Sequence, residues 1–171
     1  MTKRNIIHVN ASGILTFQGV SYKCALGKSG VTKNKREGDK ATPSGRFPLR
    51  EVFYRADHIN TPETGLPISR VTPRDGWSDD SNQTSYNQKV VLPHDGTSET
   101  LWRDDGIYDV IVVIGYNDTP VKKGSGSAIF MHIAKDDFKP TDGCVAVCKR
   151  DILRILKNLT PDSQIDISTA K

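Results

Sequence analysis

The sequence of 171 residues has no apolar run as long as the roughly 18 to 20 residues that a membrane-spanning helix requires. Its basic beginning is followed at residues 6–10 by an apolar stretch that is too short for the hydrophobic part of a secretory signal peptide. With 36% hydrophobic and 26% charged residues, the composition is typical of a globular protein. We therefore expect a single domain over residues 1–171, a monomer, with no membrane span and no signal peptide.

The sequence also lacks a strong excess of one charge. Lys and Arg number 24 against 20 Asp and Glu, which gives a formal net charge of +4. The densest basic cluster, at residues 33–36, is followed at once by acidic residues, as in a solvated loop. Because the other basic residues are scattered, we do not expect nucleic acid as a partner.

Cysteine is scarce, and three copies cannot all pair with one another, so at least one thiol is free or bound to another group. Structural zinc sites use four ligands and closely spaced cysteine pairs, which Cys144 and Cys148 with a histidine do not supply. We expect neither a metal nor a cofactor. A free thiol is consistent with a reactive one.

The most informative stretch is residues 127–148, in which His132 lies in an apolar segment and Cys144 follows a glycine turn. Residues 128–134 have the pattern of a buried strand, and residues 140–143 that of a turn. A nucleophilic cysteine needs a base and N–H donors for an oxyanion, which His132 and the amides around Gly143 could supply. A buried hydrophobic cysteine and a core histidine fit the same residues, and spacing alone does not decide.

Alternating patterns and turn signals predict a mainly β domain with a mixed or barrel-like sheet and one C-terminal helix. The predicted strands cover residues 5–9, 14–17, 20–26, 51–54, 89–92, 108–116, 128–134 and 164–167. The helix is predicted from apolar residues at helical spacing before Pro161, namely Ile152, Leu153, Leu156 and Leu159.

Residues 56–87 show little periodicity and hold many Pro, Asp and Ser residues. A long loop inside one domain usually serves as a lid, rim or binding loop, so we predict a solvated rim here. Trp77 and Tyr86 either contact a ligand or anchor this loop to the core.

Two motifs resemble those of the YkuD-type L,D-transpeptidase catalytic domain. The Gly143-Cys144-Val145 sequence begins eleven positions after His132, and residues 42–47 match the T-P-x-G-x-F signature of that family. The motifs occur in the family's order, and the resemblance extends over most of the chain, most weakly between residues 56 and 87. It implies a YkuD-like β-sandwich or flattened barrel with a C-terminal helix and with the cysteine and histidine in one cleft.

The resemblance implies a bacterial peptidoglycan L,D-transpeptidase of cell-wall biogenesis and cell shape, located in the periplasm or cell envelope. Cys144 would attack a stem peptide at the carbonyl between an L and a D residue, and His132 would accept the thiol proton. The thioester would pass to an amine of a second stem to form a crosslink, while the amides of Gly143 and Cys144 bind the oxyanion. Because carbapenems acylate the cysteine of enzymes that this chain resembles, we expect sensitivity to them.

The chain departs from the family just after its Gly-Cys motif, where Ala146 stands in the place of an arginine. Another cation is expected to hold the substrate carboxylate, with Arg103 preferred over Arg74 and Arg55. Asp142 either orients His132 or caps the turn. Further candidate substrate contacts are Asp142, Thr141, Tyr116 and Trp102.

Three alternatives remain open at this point. Water in place of the second amine would make the protein an L,D-carboxypeptidase. The missing signal peptide suggests a cytosolic cysteine hydrolase acting on small peptides. An inert thiol in the same cleft would make it a non-catalytic cell-wall-binding module.

Overall fold

A computed structural model describes residues 5–171, and the basic residues 1–4 lie outside the described part. The described chain is mostly β-structure, with one helix, α1 Lys149–Leu156, and a 3-10 turn at Asp136–Phe138. Its strands are β1 Ile6–Val9, β2 Ile14–Phe17, β3 Val20–Ala25, β4 Val31–Thr32, β5 Thr42–Pro43, β6 Gly45–Tyr54, β7 Ile68–Arg70, β8 Asp75–Ser78, β9 Lys89–Val91, β10 Ser98–Thr100, β11 Val110–Ile114, β12 Phe130–Ile133, β13 Val145–Val147 and β14 Gln164–Ile167.

Eight strands form a sheet that closes on itself. Their order is β11-β12-β13-β3-β2-β1-β14-β6, and β6 pairs again with β11, while β7 is added beside β6. Most neighbours are antiparallel, but β12 and β13 are parallel, as are β1 and β14. Closure gives β12 and β13 a bonded neighbour on each side. The barrel-like sheet with a C-terminal helix confirms the predicted fold class.

Strand alternation divides the side chains of β12 and β13 between two faces. Met131 and Val145 lie in the main hydrophobic core, which also contains Ile152 of α1. Phe130 and Cys144 lie in a second apolar cluster on the opposite face. Because successive side chains alternate between the two faces, Cys144 lies outside the main core although the next residue, Val145, is buried there.

Helix α1 follows β13 directly and has Cys148 as its N-cap. Ile152, Ile155 and Leu156 are fully buried, and their spacing of three and four residues is that of one helix face. Each such burial stabilises the fold by about 1.5–3 kcal/mol relative to an exposed side chain. The predicted C-terminal helix is thus present, and none of the described helices has the length and apolarity to cross a membrane.

A small second sheet, in the order β10-β8-β9, packs on the second apolar cluster. Trp77 of β8 packs edge-on against Phe130, with ring centroids 5.0 Å apart, and its Nε1 donates to Asn87 Oδ1 at 3.0 Å. The prediction of a solvated rim is therefore wrong for this part of residues 56–87, and Trp77 is an anchor. The strand was hidden by its polarity, since buried Asp75 is paired with Lys89 at 2.9 Å.

The predicted strand positions hold best where apolar residues alternate along the strand or fill it. Strands β2 and β14 have the predicted bounds, and β1, β3, β11 and β12 lie within their predicted segments. Strand β6 begins at Gly45, earlier than predicted, because Pro48 is accommodated in a strand opposite Gln164. The short pair β4–β5 lies in a region predicted to be loop and turn.

Candidate active site

His132 and Cys144 reach the same face because their strands are parallel neighbours. His132 pairs in register with Ala146, and Cys144 precedes Ala146 by two residues. Residues two apart in an extended chain point to the same side. Both side chains are almost fully buried, with 5% of His132 and 8% of Cys144 exposed. The structure thus brings the predicted base and the predicted nucleophile together.

The turn before Cys144 is held by Thr141. Its hydroxyl donates to the carbonyl of Cys144 at 2.7 Å and accepts the N–H of Gly143 at 3.1 Å. Gly143 has a φ of +140°, and a Cβ there would lie 2.9 Å from the carbonyl oxygen of Ala41. This position therefore requires glycine.

The Thr-Pro motif supports the same turn. Thr42 is fully buried, and its hydroxyl accepts the N–H of Gly27 at 2.8 Å. Gly27 forms a parallel bridge with Thr141, and Lys28 donates to the Thr141 carbonyl at 2.8 Å. The motif thus connects to the cysteine turn through the backbone, and Lys40, two residues before Thr42, lines the cleft.

The thiol of Cys144 is bonded to the backbone that leads into β12. Sγ donates to the carbonyl of Ala128 at 3.3 Å and accepts the N–H of Phe130 at 3.4 Å. Burial raises the pKa of Cys144 to about 12, and the carboxylates of Glu99 and Asp142 act in the same direction. The resting thiol is therefore protonated at neutral pH.

Ala128 is kept in an uncommon backbone conformation. Its φ is +53°, which is unusual for a residue other than glycine. Its N–H donates to Asn87 Oδ1 at 3.1 Å, and Asn87 Nδ2 in turn donates to the carbonyls of Tyr116 and Asn117 at 3.0 and 2.8 Å. These contacts hold the Ala128 carbonyl that receives the thiol hydrogen. No sequence pattern indicates this role of Asn87, which lies in the segment predicted to be a rim.

His132 is held in the neutral tautomer that a base requires. Nδ1 lies 2.9 Å from the carbonyl oxygen of Ile133, which only accepts, so Nδ1 carries the hydrogen and Nε2 the lone pair. Burial lowers the pKa of His132 to about 4, so the ring is neutral at pH 7. Within the described residues, Sγ of Cys144 and the imidazole are not hydrogen-bonded to each other. Catalytic hydrogen bonds often form only when substrate is bound.

Both residues line a cavity of about 600 Å³, a size suited to a peptide segment. The predicted site residues Arg103, Asp142 and Thr141 line it as well. Charged side chains of both signs complete much of the wall: Lys35, Lys40, Lys135 and Lys139 with Glu37, Asp79 and Glu99. A wall of this kind suits a polar, charged ligand better than an apolar one.

The other two cysteines differ from Cys144. All three are free thiols. Cys24 is buried in the main core, and burial raises its pKa to about 12. Cys148 is partly exposed at the start of α1. Over residues 5–171, no three or more His, Cys, Asp or Glu side chains are grouped so as to hold a metal ion.

Of the three cations considered for the substrate carboxylate, Arg103 is the one that lines the cleft. It is bonded to Asp105 at 3.1 and 2.5 Å, and its guanidinium lies 5.4 Å from the centre of the Tyr108 ring. Arg55 is only 2% exposed, is paired with Asp57 and donates to the Arg103 carbonyl. It therefore supports the loop of Arg103 from behind.

Trp102 and Tyr116, both predicted to contact substrate, and the third cation, Arg74, lie away from the wall of the cleft. Trp102 stacks on Arg55, whose guanidinium carbon is 3.5 Å from the ring centre. Tyr116 packs edge-on against Phe47 and donates to the Ser125 carbonyl at 2.5 Å, beside a separate depression. The exposed Arg74 donates to the Leu92 carbonyl at 3.0 Å. The structure does not place Trp102, Tyr116 or Arg74 on the wall of the cleft, because each is used in a local contact.

Sequence reasoning missed a polar pair beside His132. The Tyr108 ring packs edge-on against the imidazole, with centroids 5.2 Å apart, and its hydroxyl donates to Glu99 Oε1. Tyr108 is 3% exposed. Neither residue belongs to a motif, and Glu99 reaches the cleft only because the small sheet packs on the second apolar cluster.

A family model of the YkuD L,D-transpeptidase catalytic domain matches residues 4–167. No curated protein matches the sequence. A solved structure of the helical cell shape determining protein Pgp2 from Campylobacter jejuni, a K307A mutant, is similar with a TM-score of 0.50 and 16% identity over 97% of this chain and 47% of that one. An L,D-transpeptidase from Mycobacterium smegmatis has a TM-score of 0.48 and 10% identity over 97% and 59%. The chain spans about half the length of Pgp2.

Proposed function

Because the chain belongs to the YkuD family of L,D-transpeptidase catalytic domains, we propose that it is a peptidoglycan L,D-transpeptidase with Cys144 as nucleophile and His132 as general base. One observation supports the proposal. The thiol of Cys144, directly before β13, and the neutral imidazole of His132, on the parallel neighbour β12, lie in one cleft, and Nε2 of the imidazole carries the lone pair. The substrate would be a stem peptide, bound at a carbonyl between an L and a D residue.

In the first step, Nε2 of His132 takes the thiol proton while Sγ of Cys144 attacks the carbonyl carbon. The resting thiol is protonated, so proton transfer and attack occur together. The carbonyl oxygen becomes an oxyanion, for which the amides of Cys144 and Gly143 are the proposed donors. The Gly143 amide is bonded to the Thr141 hydroxyl at rest and has to leave it to join.

In the second step, the tetrahedral intermediate collapses to a thioester. The bond between the carbonyl carbon and the leaving nitrogen breaks, and the imidazolium of His132 returns its proton to the departing amine. An amine of a second stem then attacks the thioester and gives its proton to His132. As the new amide bond forms and the bond between carbon and sulfur breaks, His132 passes this proton to the sulfur, which restores the Cys144 thiol. Attack by water would instead give a carboxypeptidase.

We propose that Arg103 takes over the role of the family's arginine, whose position is occupied here by Ala146. It is the candidate guanidinium on the cavity wall, and its bidentate bond to Asp105 fixes its orientation. A substrate carboxylate would compete with Asp105 or share the guanidinium with it. Action in the cell envelope, as a monomer and a single domain, is part of the same proposal.

Incubation of bacterial cell walls with the protein, followed by digestion and mass spectrometry of the muropeptides, tests the reaction. We expect new crosslinked products that need both Cys144 and His132, whereas released D-amino acid without crosslinks would indicate the carboxypeptidase. Carbapenem treatment with peptide mapping should place one adduct on Cys144. If neither crosslinked products nor an adduct forms, a non-catalytic binding module explains the cleft better than an enzyme does.

A further inference from the structure

The buried side-chain amide of Asn87 uses all four of its hydrogen-bonding positions. Oδ1 accepts from Trp77 Nε1 at 3.0 Å and from the N–H of Ala128 at 3.1 Å. Nδ2 donates to the carbonyls of Tyr116 and Asn117 at 3.0 and 2.8 Å. Because two of these partners only donate and the other two only accept, the amide has a single orientation. Asn87 therefore joins the small sheet to the chain after β11 and to the chain before β12.

One of these four bonds reaches the backbone next to the sulfur of Cys144. Ala128 has a φ of +53°, in the left-handed region. A residue with a Cβ populates that region roughly 5- to 30-fold less than the ordinary right-handed one. The bond from the Ala128 N–H to Asn87 supplies a fixed partner for this conformation, and it compensates for the unfavourable backbone angle.

The two backbone groups that contact Sγ are anchored in different ways. Sγ accepts the N–H of Phe130 at 3.4 Å and donates to the carbonyl of Ala128 at 3.3 Å. Phe130 belongs to β12 and pairs with Val113 of β11, so the sheet fixes its N–H. Ala128 lies two residues before the strand, where its own conformation sets the direction of its carbonyl. The second contact of the sulfur therefore depends on what holds Ala128.

We infer that Asn87 is a positioning residue for Cys144: by holding Ala128 in the left-handed conformation, it keeps the Ala128 carbonyl against Sγ and fixes the sulfur for attack. Asn87 lies behind Ala128 and acts through it. A nucleophile that is displaced by about 1 Å reacts much more slowly even when its base is present. The inference deepens the proposed function, on which it rests for the reaction that Cys144 performs.

The variant Asn87→Gly removes the amide alone, because Asn87 itself has a φ of +57°, which glycine adopts freely. In a Cys148→Ala background, which removes the partly exposed thiol, carbapenem acylation of Cys144 is followed by mass. Asn87→Gly should lower the maximum rate about 5- to 30-fold, since Ala128 is no longer held, and leave the half-saturating concentration unchanged. Alkylation by iodoacetamide should become about twofold to tenfold faster, since a hydrogen bond donated by the thiol disfavours the thiolate.

The variant Ala128→Gly separates positioning from a general loss of structure. Glycine enters the left-handed region about as readily as the right-handed one, so position 128 then depends little on Asn87. In the Ala128→Gly background, Asn87→Gly should lower acylation by only about twofold and leave alkylation nearly unchanged. Its effect on the melting temperature should be the same in both backgrounds, because Trp77, Tyr116 and Asn117 lose the same partner.

Two more variants serve as control and as second probe. Trp77→Phe removes the other N–H donor of Oδ1 and leaves the Ala128 bond, so it should lower the melting temperature and leave acylation close to wild type. Asn87→Asp keeps an oxygen for the Ala128 N–H but cannot donate to the carbonyls of Tyr116 and Asn117. It should also melt at a lower temperature and acylate nearly as fast as wild type. If neither Asn87 variant folds, Asn87 is a structural residue and the inference fails.

The two reagents distinguish the possible failures. Acylation of Asn87→Gly at the wild-type rate, or an equal loss with and without Ala128→Gly, would overturn the inference and leave the proposed function intact. If the wild type is not acylated, while Asn87→Gly speeds alkylation only when Ala128 is unchanged, the proposed function fails and the positioning of the thiol stands. No response to either reagent would overturn both.

Discussion

The protonated state of the resting Cys144 leads to a sharp prediction about its chemistry. A pKa of about 12 leaves a thiolate fraction of about 10⁻⁴ at pH 8. Free cysteine, with a pKa of about 8.5, is about one-quarter thiolate at that pH. Alkylation of Cys144 by iodoacetamide at pH 8 should therefore be about 2,000-fold slower than alkylation of free cysteine, since reactivity follows the thiolate fraction.

Acylation by substrate or carbapenem should behave differently, because His132 removes the proton during the attack. With the pKa of His132 lowered to about 4, this rate should be level from about pH 5 through neutral pH and fall below. The assay follows mass changes of the Cys148→Ala variant over a pH series with both reagents. His132→Gln should abolish most acylation, by about two to four orders of magnitude, and leave alkylation slow.

The reasoning would be refuted by fast iodoacetamide alkylation with an inflection between about pH 5 and 8. That profile would show a thiolate paired with an imidazolium in the free protein. The backbone bonds of Sγ, to the Ala128 carbonyl and the Phe130 N–H, would then have to rearrange in solution.

Three further predictions concern stability and binding. Because the pKa of His132 is lowered to about 4 from an unfolded value near 6.5, its contribution to stability is present above about pH 6.5 and is lost as pH falls towards 4. When the free energy of unfolding in urea is measured against pH, His132→Gln should flatten the curve over this range. An unchanged slope would contradict the effect of burial on this pKa. Gly143→Ala should lower the free energy of unfolding by about 1–3 kcal/mol or more, because φ is +140° and the new Cβ would lie 2.9 Å from the Ala41 carbonyl oxygen. Gly124→Ala, which has open space around its Cβ, is the control and should lower the free energy of unfolding by less. Arg103→Ala should raise the KM for a stem peptide with little change in melting temperature, whereas an unfolded variant would mean that the Asp105 pair is structural.

Elements with an apolar pattern are predictable from the sequence, whereas elements that are polar and yet buried are not. Strand β12 was found because apolar residues surround His132, and α1 because its apolar residues recur at helical spacing. Strand β8 was missed because its Asp75 and Ser78 look like loop residues, although contacts with distant residues satisfy them. Such compensation between distant residues leaves no local pattern.

The candidate site was predicted to a similar extent. His132 and Cys144 are predicted from a motif, and Arg103 from the absence of the family's arginine at Ala146; the structure places all three at one cavity. Glu99 and Asn87 were missed because each acts only after the small sheet has folded onto the barrel. Trp102 and Tyr116 are predicted to contact substrate, but the tertiary fold places both away from the wall of the cleft.

The parallel pairing of β12 with β13 separates two kinds of change in chain length. The segment between the two strands, residues 134–144, lies outside the paired register, so insertions at its exposed 3-10 turn should leave His132 opposite Ala146. One residue inserted within β12 would instead turn His132 into the main core and Met131 or Ile133 towards the cleft. We therefore expect homologous sequences to differ in the number of residues between the histidine and the cysteine, but to keep the alternation of inward and outward side chains within each strand.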